Sequence, residues 1–586
     1  MIRHSIILLS LALITIGSNC KAGPISREEA KQKALKYMSK IRPGTTAVTL
    51  MEAQHKSANN TYDTSTQVKE RIMVEAPAYY VFKATGGSNQ GFIIISGDDS
   101  YNDVIGYSDC GTIDDSAPMP DALASILDAY TERVRSGSHV VRREEANETE
   151  SQAVVGPLLT SQWGQSSPYN LLCPNTGRGN APVGCVATAM SQIMYYWQWP
   201  VKGVGYMSYS TPYGTLSADF ASHEYKWDIL SDRMTNSSPD EAKTNVAQLC
   251  YDCGVSIKMA YESGGSGAFT DAVITSLYSY FLYRPSTMRF YYRECMNSQD
   301  EWEDIMKREL DTQRPIIMSA TSDDNGHAFV IDGYDTADYF HVNWGWDGNY
   351  DGFFDMNLMN PPGYKYTQHQ AVIVGIQPNY EGVSEQRMQA PVYLVDSLTT
   401  TWKQRRLTQF FSVKVGRIYN NRSEGRSYTL GVGLYDSRGR FIADVSQASD
   451  SKTVYWAGFY GSNSFGTISC KLTPEVMEQC NDGNYVLRLI AREAGYDEWM
   501  WPDVVGGSDN NRIPLYIHDD VMDFNTYGPE LMPEDTTGDG LVDTQDVLQV
   551  YAAIEQGNND EINDVNGDKM IDTQDVITIY EYITLH

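Results

Sequence analysis

Cys185 follows Gly184 and opens a stretch in which Val186, Ala189, Met190, Ile193, Met194 and Trp197 recur at helical spacing on one face. A thiol at a helix N-terminus sits in the positive end of the backbone dipole, which favours the reactive thiolate. Pro182 and Gly184 let the chain turn sharply to present it. A single cysteine of this kind is more often a packing residue than a nucleophile, so the deciding question is whether an imidazole is available to take its proton. Four of the nine histidines lie in the same large block of sequence. His223 falls in a polar, exposed stretch and His369 in a polar loop. His341 lies inside the strand Tyr339–Asn343, where a packed or edge role fits better. His327 follows Gly326 and begins the strand Ala328–Asp332, so its ring has open space before it. A third group must orient that ring. The side-chain carbonyl of Asn343 is suited to this, and Trp344 to shielding the bond from water. The amide of Cys185 supplies one donor for a developing oxyanion, and an upstream Gln or Asn a second.

A different chemistry is written in the tail. Asp543-Thr544-Gln545-Asp546-Val547 recurs as Asp572-Thr573-Gln574-Asp575-Val576, and Asp535 and Asp564 begin two units 29 residues apart. Asp535, Thr537, Asp539, the Leu541 carbonyl, Asp543 and Asp546 fall at positions 1, 3, 5, 7, 9 and 12 of a loop. Asp564, Asn566, Asp568, the Met570 carbonyl, Asp572 and Asp575 repeat the set. Calcium takes 6–8 oxygens in such an arrangement, so Ca2+ is the expected structural ion, with none needed for catalysis. Gly540 holds the turn position of the first loop, but Lys569 holds it in the second, which predicts a weaker second site. The loop-then-helix order, its duplication, and the helical residues Val547, Leu548, Val550 and Tyr551 resemble a type I dockerin. That resemblance implies a cohesin-like partner, with folding or surface attachment as alternative uses.

These sites need elements to hold them. At 586 residues and 65.6 kDa the chain is long enough for several domains. Hydrophobic residues at 41% and charged ones at 20% fit packed globular units. A formal net charge of -30 argues against nucleic acid or an anionic membrane as partner. Glu534–His586 holds thirteen acidic residues against one lysine, and so -12 of that charge. The run Ile6–Ile16, preceded by Arg3 and followed by Cys20-Lys21-Ala22, predicts a signal peptide over residues 1–22. A lipid anchor on Cys20 is the rival reading, and either places the protein outside the cell or on its surface. No later segment reads as transmembrane. The nine cysteines are too few for a disulfide scaffold, although Cys470 and Cys480 are close enough in sequence to pair. Cys250 and Cys253 form a lone C-x-x-C in a helical stretch, a weak pointer to zinc or redox chemistry.

Ser26–Ile41 predicts an amphipathic helix with an N-cap serine and Glu29 in the capping-box position. Strands follow at Ala78–Phe82 and Gly91–Ser96, then a helix over Asp121–Val134. Arg142–Gln152 is polar and without periodicity, a natural exposed linker. Val155–Pro378 is the largest block. Phe411–Val415, Tyr428–Leu434 and Tyr485–Leu489 alternate as strands, which favours an all-β sandwich.

The segments Trp163–Asn170, Gly184–Met194, Gly326–Gly333 and His341–Trp346 together resemble the streptopain-like (C10) cysteine peptidases of the papain clan. The resemblance implies Cys185 as nucleophile, His327 as general base and then acid, Gln165 as oxyanion donor, and Asn343 with Trp344 as the orienting and shielding pair. It also implies that the Gly-rich Ser263–Gly267 lies near the substrate cleft. It extends upstream: Phe92–Asp99 and Ile105–Ser108 look like the propeptide of these enzymes, related to streptopain inhibitors. The expected fold class is therefore multidomain. It combines an α+β propeptide (23–153), an α+β papain-like catalytic domain (154–380), an all-β sandwich (389–523) and a small α calcium-loop module (533–586). The expected activity is a cysteine endopeptidase made as a zymogen, with protein or peptide substrates and its own propeptide as inhibitor. A non-catalytic secreted binding or adhesion protein on a peptidase scaffold is the alternative.

Overall fold

The computed structural model describes residues 23–51, 77–136, 153–356, 368–380, 392–526, Thr536, 544–556, 563–565 and 570–585. Within those ranges it leaves out 87–89, 115–118, 286, 294–295, 297, 322–325, 421–425, 438–439, 448–452, 457–460, 463–464, 496, 498 and 505–510. The expected signal peptide and nearly all of the expected linker thus lie outside the described residues. The chain divides into two compact units, one of residues 1–156 and 333–366, the other of 157–332 and 367–586.

The first unit begins with helix α1 (Arg27–Ile41). The Ser26 hydroxyl accepts from the Glu29 amide at 3.2 Å, the cap its sequence predicts. Ala30, Ala34 and Met38 recur every four residues and are buried against Phe82, Ile93 and Ile95. These belong to an antiparallel run of strands β1 (Ala47–Leu50), β2 (Tyr79–Thr85), β3 (Gly91–Ser96) and β4 (Val104–Ser108). Helix α2 (Asp121–Ser136) is tied to them by the Tyr130 hydroxyl, which donates to Ser96 Oγ at 2.7 Å.

Residues 339–355 continue this sheet. Strand β11 (Tyr339–Asn343) pairs with β12 (Gly352–Asp355), and the other edge of β12 pairs with β4, Phe353 facing Tyr107 and Phe354 facing Gly106. A Cβ at Gly106 would meet the Phe354 ring at 2.4 Å, so only glycine lets that ring cross β4. Side chains reinforce the seam. Tyr107 donates to Asp335 Oδ2 at 2.5 Å and Asn102 to Asp355 Oδ2 at 2.9 Å, while Asn349 Oδ1 accepts from the Asp114 amide at 2.9 Å. The short β5 (Ala153–Val155) pairs with residues Tyr334 and Asp335 of β10 (Gly326–Asp335), the strand in which the chain passes between the two units.

The second unit is built on helix α3 (Cys185–Trp197). Its apolar spacing predicts one buried face, yet all nine residues from Val186 to Met194 are buried. A helix covered on all sides is a core helix. The small Ala187, Thr188, Ala189 and Ser191 give its other faces little bulk, which lets neighbours close over them. Those neighbours include the hairpin β6 (Tyr206–Thr211) and β7 (Gly214–Asp219), α4 (Asp240–Ser256) and α5 (Ala272–Tyr280). The first part of β10 pairs with β9 (Ile316–Thr321), β9 with β13 (Gln368–Val374), and β13 with β8 (Arg289–Tyr292), all antiparallel. Helix α6 (Gln299–Asp311) is capped by Ser298. His369, expected in a polar loop, is a residue of β13, its polar neighbours Gln368 and Gln370 lying at the start of an apolar strand.

Between 392 and 524 the chain is almost wholly strands. One sheet holds 404–406, 513–518, 521–524, 426–436, 441–444, 453–456 and 483–493, and smaller ones hold 392–394, 418–420, 461–462 and 503–504, and 411–415 with 466–470. Val432, Leu434, Leu487 and Leu489 from the large sheet share one core with Val392, Val413, Ile418 and Ile468. The strands at 411–415, 428–434 and 485–489 fall where the sequence alternation places them. Cys470 and Cys480 form no disulfide, Cys470 buried in that core and Cys480 half-buried. In the tail, helices Thr544–Gln556 and Thr573–Leu585 pack through Val547, Val550, Val576 and Ile579. Among the described residues no helix is long and apolar enough to cross a membrane.

Candidate active site

The approach to Cys185 is fixed by a residue with no side chain. Gly184 caps α3 at φ 92°, in the left-handed region that favours glycine. A Cβ there would lie 2.7 Å from the sulfur and methyl of Met259 and 2.9 Å from the Ser266 carbonyl oxygen. The Gly-rich stretch 263–267 therefore packs directly on the residue preceding the thiol. Ser266 adds a hydrogen bond from its hydroxyl to the Pro182 carbonyl at 2.7 Å. The first turn of α3 carries no acidic residue, so no carboxylate on this helix opposes a thiolate at its start. Cys185 is half-buried, while the nine residues that follow it, Val186–Met194, are buried.

Five further thiols are set by burial. Burial pushes Cys173 and Cys250 up to about 12 and Cys253 well above its ordinary value. Cys110 and Cys480 are raised to about 11, again chiefly by burial. All five are held as protonated thiols near neutral pH. The C-x-x-C pair lies inside the core, Cys250 Sγ 3.6 Å from Ser191 Oγ and Cys253 Sγ 3.6 Å from Met194 Sδ.

His327 is the second residue of β10, opposite Ala320 of β9, and is half-buried. The next inward residues of that strand, Ala328 and Val330, enter the same core as α3, against which Cys185 also packs. Gln165 lies in the segment that leads to Cys185. Its carbonyl accepts from the Val183 amide at 3.0 Å, and its side chain is half-buried. Two residues earlier Trp163 is fully buried, its ring 4.8 Å from that of Tyr195 on α3.

Cys185, Gln165 and His327 thus fall in one compact unit, and Asn343 and Trp344 in the other. Asn343 closes β11 almost fully buried, and its Oδ1 accepts from the Gly345 amide at 3.0 Å. Trp344 is locked at both ends: its amide donates to Asp351 Oδ1 at 2.9 Å and its indole nitrogen to the Tyr350 carbonyl at 3.0 Å. His341, on the same strand, is nearly buried with its ring 5.1 Å from Phe353, a packed histidine as its strand position predicts.

Residues 163–354 match the peptidase C10 family, and residues 22–134 match the Spi protease inhibitor family. Streptopain of Streptococcus pyogenes is 31% identical over 327 residues, covering 51% of this chain and 80% of its own length. The chain belongs to the peptidase C10 family. A second relative, the thiol protease/hemagglutinin PrtT of Porphyromonas gingivalis, is 31% identical over 388 residues, 61% of this chain. This C10 chain spans only 42% of the length of that protein. Among solved structures, a prointerpain A fragment from Prevotella intermedia is 34% identical, with 51% of this chain and 95% of that one covered and a TM-score of 0.44. Active interpain A from the same organism is also 34% identical, covering 40% of this chain and 99% of that one with a TM-score of 0.36.

One polar cluster of the C10 domain escaped the sequence. Asp252 on α4 is fully buried, and its carboxylate takes His223 Nδ1 at 2.7 Å, the Tyr225 hydroxyl at 2.8 Å and Gln248 Nε2 at 2.9 Å. The hydrogen bond to Asp252 raises the His223 pKa above its ordinary value. His223, expected to be exposed, is instead half-sheltered, because the polar stretch around it folds onto α4. A clue was present in Asp252 itself, a charge set between Cys250 and Cys253 on the apolar side of a helix.

In the tail, Asp535, Thr537, Asp539, Leu541 and Asp543 of the first loop lie outside the described residues, as do Asn566 and Asp568 of the second. Asp546 and Asp575 are fully buried at the starts of their helices. Asp575 accepts from the amides of Val565 at 2.8 Å and Asp572 at 2.9 Å, so it organises its own loop. Asp564 and Asp572 are half-buried and Met570 is exposed. Carboxylate and carbonyl oxygens of this kind are the donor chemistry a hard cation such as calcium takes. Among the described residues no group of three or more His, Cys, Asp or Glu is gathered at one point.

Proposed function

We propose that this C10 protein is a secreted cysteine endopeptidase made as a zymogen, cleaving proteins through an acyl-enzyme on Cys185. The observation that carries the reading is the entry to α3. A glycine at positive φ, held by Met259 and Ser266, presents a half-exposed thiol at the N-terminus of a buried helix. His327 takes the thiol proton, and the thiolate adds to the scissile carbonyl carbon. The oxyanion is met by the Cys185 amide and the Gln165 side-chain amide. The imidazolium gives its proton to the leaving amine as the C–N bond breaks. Water, deprotonated by His327, then releases the acyl group as a carboxylate and restores the thiol. The family resemblance assigns the orienting and shielding roles to Asn343 and Trp344.

The reading continues outward from the site. Residues 23–153 act as an inhibitory propeptide, and cleavage within 142–155 releases activity. The preferred substrate carries a hydrophobic residue two positions before the scissile bond. The tail is a dockerin-like module stabilised by calcium, suited to a cohesin-like partner or to surface attachment. The full chain and its Cys185→Ala variant, assayed on casein under reducing conditions, test the central claim. Activity confined to the unsubstituted chain is expected; equal activity in both would overturn the nucleophile and leave a non-catalytic binding protein as the reading.

A further inference from the structure

The segment carrying Gln165 is anchored to the nucleophile's own helix from below. Gln192 lies seven residues beyond Cys185, two helical turns and ~10 Å along the axis of α3. It is fully buried, and its Oε1 accepts two hydrogen bonds from one short stretch of chain: the Ser161 hydroxyl at 2.9 Å and the Trp163 amide at 3.2 Å. Ser161 and Trp163 are themselves buried. A second tie joins the same two elements nearer the thiol, from the Val183 amide to the Gln165 carbonyl at 3.0 Å. The Trp163 ring packs on Tyr195 of α3 and its indole nitrogen donates to the Ser231 carbonyl at 3.0 Å. Gln165 is thus held at its own carbonyl and two residues upstream, and both holds lead to the chain that carries Cys185.

We propose that Gln192 is a positioning residue for the peptidase reaction, fixing the Trp163–Gln165 segment to α3 so that the Gln165 amide is aimed at the oxyanion. This rests on the reading of Cys185 as nucleophile and Gln165 as oxyanion donor. The physical case is one of alignment. A polar side chain inside an apolar helix is costly unless its bonds do something a leucine would not. An amide acceptor that clamps a neighbouring strand of chain is a rigid way to hold a catalytic donor against the nucleophile's own frame. Misplacing such a donor by about an ångström costs on the order of a hundredfold in rate.

The test uses the full chain after processing, with three variants. Gln192→Leu removes the acceptor, Gln192→Glu keeps an oxygen facing Ser161 and Trp163, and Gln165→Ala removes the donor. Gln192→Leu is expected to lower kcat on a peptide amide at least tenfold while leaving KM and the rate of thiol alkylation by iodoacetamide unchanged. Alkylation needs the thiolate but no oxyanion donor. Gln192→Glu should recover most of the lost kcat. In a Gln165→Ala background, Gln192→Leu should cost nothing more, since the group it positions is gone. Losses that multiply in the double variant, a kcat unaltered by Gln192→Leu, or alkylation falling in step with kcat would each overturn the proposal. Should Gln192→Leu fail to fold, Ser161→Ala tests the same tie with one donor removed, and an unchanged kcat there would overturn it too. Failure of the underlying reading shows separately, as activity surviving Cys185→Ala or kcat unaltered by Gln165→Ala.

Discussion

The hydroxyl of Tyr107 donates to the fully buried carboxylate of Asp335 at 2.5 Å, beside a strand pairing that joins β4 to β12. Tyr107 belongs to the inhibitor-like segment and Asp335 to the strand that leaves the C10 core. Removing the hydroxyl leaves a buried carboxylate short of a partner, at a cost of about 1–3 kcal/mol. A fragment of residues 23–153 is expected to inhibit the mature enzyme. The Tyr107→Phe fragment should do so with an inhibition constant raised by roughly tenfold or more. Titration of enzyme activity with the two fragments measures this, and equal constants would remove the bond from the account of propeptide binding.

Gly184→Ala should be severe for so small a change. The substitution puts a Cβ into van der Waals overlap with Met259 and the Ser266 carbonyl at a backbone angle that disfavours it. The conformational part alone is about 1–3 kcal/mol. Relief requires the chain before Cys185 or the loop at 263–267 to shift. The melting temperature should fall by several degrees and kcat/KM by at least tenfold, read by calorimetry and peptide hydrolysis.

The His223–Asp252 pair predicts a pH signature in stability, with Asp219 as the other charge acting on His223. The folded-state pKa of His223 is raised, so the protonated ring stabilises the fold fully below its unfolded value of about 6.5. That contribution is lost as pH rises through the higher folded value. The difference in melting temperature between the unsubstituted protein and His223→Gln should therefore be largest near pH 5.5 and shrink toward pH 9. A difference that grows with pH would contradict the sign.

For the tail, calcium removal is the direct measurement. Asp546 and Asp575 sit buried at the starts of the two helices, and a cation in the loop would add to the charge compensation they have there. Addition of a chelator should lower the helical signal of the isolated tail and calcium should restore it. Terbium luminescence should report two sites, the one containing Lys569 filling at higher concentration. A helical signal indifferent to chelation would leave the carboxylates as capping groups alone.

How much of this was legible in advance depends on whether the information was local. The α1 cap, the strand at 91–96 and the turn into α3 are each written in a few consecutive residues, and they fold as their spacing predicts. Cys185 stood out for the same reason. Gln192 did not, because a polar residue within an apolar run reads as the wet side of an amphipathic helix until neighbours are known to close over it. His223 reads as exposed for a related cause: its partner lies 29 residues away on α4, and a polar neighbourhood says nothing about which helix will cover it. The Cys470–Cys480 pairing failed because closeness along the chain does not bring two β-carbons into bonding geometry.

Strand β12 has a partner on each side only while the segment before residue 142 is present. If, as proposed, that segment is cleaved away, the Gly352-Phe353-Phe354-Asp355 edge would be left with open amides and carbonyls and with Phe353 parted from Tyr107, on which it stacks at 5.3 Å. Under that reading, processing would also create an adhesive border, the kind of sheet margin that invites a stranger's strand.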